Sequence, residues 1–196
     1  MEFIGRECHR RQEMTRQKEL DRLHKEITEC EKCPLYISRK NPVPGEGSVT
    51  AKLMFVGEAP GAREDETGRP FVGRSGDFLT TLISGIGLSR SEVFITSVLK
   101  SRPPKNRTPT RSEIEACRPY LERQIEIINP QIIVLLGGVA VSSIIGPWKM
   151  AEAHGKFYKV DKCTYFITYH PAAALRFPTF KDVVKADFEI LKQELR

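Results

Sequence analysis

Residues 53–76 hold the groups best suited to chemistry. Glu58 lies in Gly57-Glu58-Ala59-Pro60-Gly61 and Phe71 in Gly68-Arg69-Pro70-Phe71-Val72-Gly73. The stretch opens on the apolar run Leu53-Met54-Phe55-Val56, a buried strand by its pattern. Pro60 lacks an N–H and the glycines allow tight turns, so the loop neither continues the strand nor starts a regular helix. Ligands of open α/β sheets sit at such strand ends. A second group is Cys30-Glu31-Lys32-Cys33. Two thiolates at that spacing can hold one metal centre, or act in redox exchange as in thioredoxin-like proteins. Here the pair ends a helix instead of opening one after a strand, which favours ligation. A third is the Pro-stiffened segment 97–107 with Lys100, Arg102, Lys105 and Arg107, either a solvated loop or a contact for phosphates. The fourth is His170 in Tyr169-His170-Pro171-Ala172, delivered by the last predicted strand.

The elements that must position these groups follow from periodicity. Leu20, Leu23 and Ile27 mark a helix from about Thr15 to Glu29, preceded by a basic, mobile extension over residues 1–14. Residues 41–48 form a Pro/Gly-rich loop. Phe78, Leu79, Leu82, Ile83 and Ile86 give a helix that begins near Ser75 and stops at Gly87. Residues 93–96 form a second strand. Thr110 and Glu113 make a capping box for a helix running to about Ile128. Residues 131–136 are a nearly all-apolar third strand, the pattern of a parallel sheet buried on both faces. Residues 148–155 read as loop, 157–168 as a hairpin into the final strand, and Thr179 opens the last helix. Strand and helix alternate, so the expected fold is a three-layer α/β/α sandwich with a short, mostly parallel sheet, one domain over residues 15–196.

The totals narrow the function classes. With 196 residues the chain can bury a full core. No apolar run approaches the roughly 20 residues that cross a bilayer, and no secretory signal opens the chain. Five cysteines, an odd number, argue for a reduced, intracellular setting and against a disulfide framework. A formal charge of +6 suits an anionic partner. No G-x-G-x-x-G follows a strand, which sets aside a dinucleotide enzyme.

Taken in order, the C-x2-C pair, Gly57 to Gly61, Gly68 to Gly73, Lys100-Ser101-Arg102-Pro103-Pro104, Ala116-Cys117-Arg118-Pro119-Tyr120-Leu121 and Tyr169 to Ala172 resemble the family-four, iron–sulfur uracil-DNA glycosylases. The likeness spans about residues 30–176. It implies a monomeric, monofunctional hydrolase that removes uracil from single- or double-stranded DNA as the first step of base-excision repair. It assigns catalysis to Glu58 and His170, and the uracil pocket to Gly57, Glu58, Phe71, position 97 and His170. It matches Leu175 and Arg176 to the loop that pushes into the duplex, and a DNA substrate favours the phosphate-contact reading of Lys100, Arg102, Lys105 and Arg107. It implies a 4Fe–4S cluster at Cys30, Cys33, Cys117 and position 101.

Two positions depart from the family pattern. Ser97 stands where the family carries the asparagine that reads the uracil edge, and Ser101 stands at a cysteine ligand. A serine hydroxyl is shorter than an amide and has one donor. The first change leaves open an altered base preference or an attenuated DNA-binding module on the same scaffold. The second leaves open a four-iron, a three-iron or a zinc centre, or none, with Cys8 and Cys163 as spare thiols.

Overall fold

The computed structural model describes residues 2–195, with side chains from residue 12 onward. The side chains of Cys8, His9, Arg10 and Arg11 lie outside the described residues. Six strands form one sheet: β1 (Glu46–Gly47), β2 (Leu53–Gly57), β3 (Phe94–Ser97), β4 (Ile132–Leu136), β5 (Lys156–Val160) and β6 (Cys163–Thr168), in the order β1-β3-β2-β4-β6-β5. The four central strands are parallel, and β1 and β5 run antiparallel at the two edges. The expected mostly parallel sheet is therefore present.

Alternation along the buried strands feeds two cores. On one face Leu53, Phe55, Val134 and Leu136 meet α4 (Arg74–Gly85) and α9 (Pro178–Glu194). On the other, Met54, Val56, Ile133 and Leu135 meet α1 (Glu2–Thr28), α5 (Arg111–Ile128) and α6 (Gly138–Ile144). Side chains alternate across a strand, so a strand buried on both faces must be apolar throughout. This is the three-layer α/β/α arrangement that the alternation of elements predicts. A smaller core joins Leu23 and Ile27 of α1 to Leu35, Leu99, Cys117 and Tyr120.

Several elements differ from the sequence reading. The helix expected from about Thr15 begins at Glu2, so the backbone of the basic segment is helical. The acidic run after Gly61, too short to show an apolar period, is the short helix α3 (Ala62–Thr67), with Glu64 and Asp65 in its first turn, where carboxylates favour the helix dipole. Four residues after Cys33 form α2 (Leu35–Ser38), and the 148–155 loop contains α7 (Met150–Ala153). His170 caps one more helix, α8 (Pro171–Arg176). The capping box is present as expected, with Thr110 accepting from the Glu113 N–H and Glu113 accepting from the Thr110 N–H. Among the described residues no helix is long and apolar enough to cross a membrane.

Candidate active site

Parallel pairing puts the carboxyl ends of β2, β3, β4 and β6 on one edge of the sheet, and the chain reverses direction across β2 on its way from β3 to β4. That is the crevice where open sheets bind ligands. A pocket of about 450 Å³ lies there. Glu58, Phe71, Ser97, Arg107 and His170 line it, together with Glu64 and Asn106, which the sequence reading did not single out.

Each side chain arrives by a local device. Glu58 follows β2 directly, and its carbonyl accepts from the Leu99 N–H at 3.1 Å. Its carboxyl is pushed above the usual range by burial alone, with no partner charge. Phe71 has φ +49°, a left-handed backbone that costs a bulky residue about 1–3 kcal/mol. Its ring lies so close to Gly57 that a Cβ there would stand 2.5 Å from Cζ, which explains why β2 ends in glycine. The Phe71 and His170 rings stack with centroids 5.6 Å apart and planes at 27°. Ser97 is 4% exposed, and its hydroxyl has no hydrogen-bond partner among the described residues.

His170 is held as the N-cap of α8, its Nδ1 accepting from the Ala172 N–H at 3.1 Å. The neutral ring therefore carries its proton on Nε2. Burial lowers its pKa to about 4, against a smaller raising effect of Glu64. Glu64 in turn accepts from the N–H groups of Val72 (2.9 Å) and Gly73 (3.0 Å), which fastens α3 to the start of α4. Its role could not be read in sequence, because the contact depends on how the loop folds back on itself.

The basic segment divides. Lys100 is 2% exposed, with Nζ donating to Thr96 Oγ1 (2.6 Å), the Ser97 carbonyl (2.7 Å) and Gln124 Oε1 (2.7 Å). It is not available to a phosphate, and the expectation that it contacts DNA is corrected. Burial lowers its pKa to about 7. Arg102 donates through Nε to Asn106 Oδ1 at 2.7 Å, Lys105 is exposed on a 3-10 turn (Pro104–Asn106), and Arg107 is forked onto Glu113. Leu175 (38% exposed) and Phe177 (48%) flank Arg176, whose guanidinium lies 5.4 Å from the Phe177 ring centre. Phe177 is a further exposed apolar group that the sequence reading left out.

Cys30, Cys33, Ser101 and Cys117 line one small cavity beside the lesser core. Cys117 Sγ accepts from the Lys100 N–H at 3.3 Å, and burial pushes the Cys33 and Cys117 thiols up. Ser101 Oγ accepts from Arg39 Nη1 at 3.0 Å, and Arg39 Nη2 donates to the Thr28 carbonyl at 2.9 Å. Among the described residues no three His, Cys, Asp or Glu side chains are drawn together as a metal-binding group. Cys163 is a free thiol on β6 and does not line this cavity.

Comparison with known proteins agrees with this geometry. Residues 44–192 match the family described as the uracil DNA glycosylase superfamily. A type-4 uracil-DNA glycosylase of Pyrobaculum aerophilum is 47% identical over 181 residues, covering 86% of this chain and 91% of its own. A type-4 enzyme of Thermotoga maritima is 42% identical, covering 83% and 86%. A type-5 enzyme of Pyrobaculum aerophilum is 30% identical, covering 85% and 88%. The chain belongs to the uracil-DNA glycosylase superfamily and, within it, to the type-4 branch.

Proposed function

We propose that the protein hydrolyses the N-glycosidic bond of uracil in DNA and leaves an abasic site, the first step of base-excision repair. One observation carries the reading. A single pocket joins an unpartnered carboxylate, an aromatic plane and a neutral imidazole with its free N–H on Nε2.

The base must leave the stack to react. In the pocket it stacks on Phe71, a contact of about 1–3 kcal/mol for base–aromatic pairs. As the bond to the sugar lengthens, negative charge gathers on uracil O2 and positive charge on the sugar. His170 donates its Nε2–H to O2, a fixed donor that stabilises the leaving anion. Glu58, ionised, orients the attacking water and offsets the sugar's charge. Ser97 offers its hydroxyl to the pyrimidine edge. Leu175, Arg176 and Phe177 form the wedge that fills the vacated stack. Arg102 and Lys105 meet phosphates, as does Arg107 with its charge shared with Glu113.

The donor set supports a cluster site at Cys30, Cys33 and Cys117, with the Ser101 oxygen at the fourth corner. Three cysteines from two segments, the Cys30–Cys33 turn and α5, line one cavity, and Cys117 already accepts a backbone N–H. A bound cluster would tie the α1–α2 turn to Ser101 and α5, a structural bond away from the pocket. Iron and labile sulfide should co-purify with the protein, and Ser101→Cys should increase iron retention. Metal-free protein on anaerobic purification, with no gain from Ser101→Cys, would remove the cluster.

The activity is tested with uracil-containing oligonucleotides, single- and double-stranded. Alkali-labile abasic sites at uracil are expected. Folded protein that binds the strands and yields none at enzyme excess would favour the silent DNA-binding module, and release of other bases instead of uracil would show a changed base preference.

A further inference from the structure

Arg90 lies outside the pocket, in the turn between α4 and β3, yet its guanidinium is committed to the loop that carries Phe71. Nη1 donates to the Phe71 carbonyl (3.0 Å) and to Thr80 Oγ1 (3.2 Å), and Nη2 donates to the Pro70 carbonyl (2.8 Å). No other described residue donates to either carbonyl. The fork is itself oriented. Glu46 Oε1 accepts from Nη2 (2.5 Å) and Nε (3.2 Å), and the same carboxylate binds Arg69 Nε at 2.8 Å. The Arg90 and Glu46 side chains are only 20% and 23% exposed, so water screens the arrangement incompletely.

Phe71 needs such a fixture. Its φ of +49° is a conformation that persists only where the surroundings over-determine it. From one side α4 presses bare backbone on the Phe71 peptide, since a Cβ on Gly76 would stand 1.9 Å from the Phe71 carbonyl oxygen. Arg90 takes the hydrogen bond of that same carbonyl. A planar guanidinium can span two successive carbonyls and a hydroxyl at once, which a lysine ammonium on a flexible stem cannot do with the same geometry.

We propose that Arg90, oriented by Glu46, is the positioning residue that holds the Phe71 ring in its stacking attitude for the extruded base. This rests on the reading of Phe71 as the base platform. Loss of the fork lets the Phe71 backbone leave the left-handed region and the ring leave its seat on Gly57.

Two readouts test it. In protein with ¹³C-labelled phenylalanine, the Phe71 ring resonance, assigned through Phe71→Leu, carries the ring-current shift of His170. Arg90→Met is expected to move or broaden that resonance, and Arg90→Lys to do so partially. In parallel, inhibition by free uracil is expected to weaken about tenfold in Arg90→Met, with kcat on a uracil-containing single strand falling more than KM rises. Adding Arg90→Met to Phe71→Ala should cost little further, because the two act through one ring. Glu46→Gln, which keeps the arginine, should give a smaller effect of the same kind. An unchanged Phe71 resonance in folded Arg90→Met, or full additivity with Phe71→Ala, overturns the proposal. If the resonance moves but uracil fails to inhibit even the unmodified protein, the positioning role of Arg90 stands and Phe71 is not a uracil platform.

Discussion

Burial acts on Glu58 and His170 in the same sense, disfavouring the charge each can carry, and the two therefore shift in opposite directions. His170 stays neutral until the pH falls to about 4, while the Glu58 carboxyl protonates above its ordinary 4.5. As pH falls, the first group lost is thus Glu58. The rate should drop on an acid limb that disappears in Glu58→Gln, while His170→Asn lowers the rate without moving the limb; pH profiles of single-turnover uracil release check this. Stability follows His170 with its own sign. The unfolded chain takes up the proton from about pH 6.5, and the folded chain refuses it until about 4, so stability falls across that window. Urea unfolding should show the loss in the parent and less of it in His170→Asn. At position 97 the prediction concerns reach. Ser97→Asn introduces an amide with a donor and an acceptor and should raise the rate on uracil by up to about tenfold, since one good hydrogen bond to a polar edge is worth about 0.5–1.5 kcal/mol; an unchanged rate would mean that Ser97 is not the edge reader. Motif spacing singled out Glu58, Phe71 and His170, and the fold brings the three to one pocket. Lys100 misled because neighbours in sequence, Arg102 and Lys105, are surface cations, whereas its own side chain turns inward to Thr96 and Gln124.

At the scale of elements, the strands and long helices were readable because burial imposes a period: Leu53 to Val56 and Ile132 to Leu136 are apolar at every position, and α4 and α5 show one apolar stripe. The short helices α3 and α8 were not. Each spans six residues, too few to show a period, and each is fixed by tertiary partners such as Asp65 accepting from the Lys40 N–H at 2.9 Å. The α8–α9 corner holds the exposed Leu175 and Phe177 proposed as the wedge. Leu175→Ala and Phe177→Ala should slow uracil release from duplex more than from single strands, because only the duplex must be unstacked against its partner strand. Equal losses on both substrates would place these residues elsewhere in the reaction. The segment after β3 holds Arg102 and Lys105, proposed above as phosphate contacts. Replacing Arg102 or Lys105 by alanine should each reduce the salt slope of single-strand binding by about 0.7. Slopes from binding titrations at several salt concentrations decide the matter, and an unchanged slope removes the residue from the interface.

The whole molecule combines a sheet whose carboxyl edge forms the pocket with a net charge of +6 that favours a polyanion. The two serines act at different distances from the chemistry. Ser97 lines the pocket, and Ser101 lines the thiol cavity, where Arg39 already engages its oxygen. Lys100 stands between them, its N–H on Cys117 and its ammonium on the Ser97 carbonyl, so the two sites share one buried residue. The central claim is that the pocket of Glu58, Phe71 and His170 excises uracil. Single-turnover release of uracil from a labelled single strand tests it most directly, comparing the unmodified protein with Glu58→Gln, Phe71→Ala and His170→Asn. The account predicts release at uracil by the unmodified protein and losses of about 100-fold or more in Glu58→Gln and His170→Asn, in the range of a missing general base or charge-stabilising donor. Release that survives all three substitutions at the parental rate would contradict it.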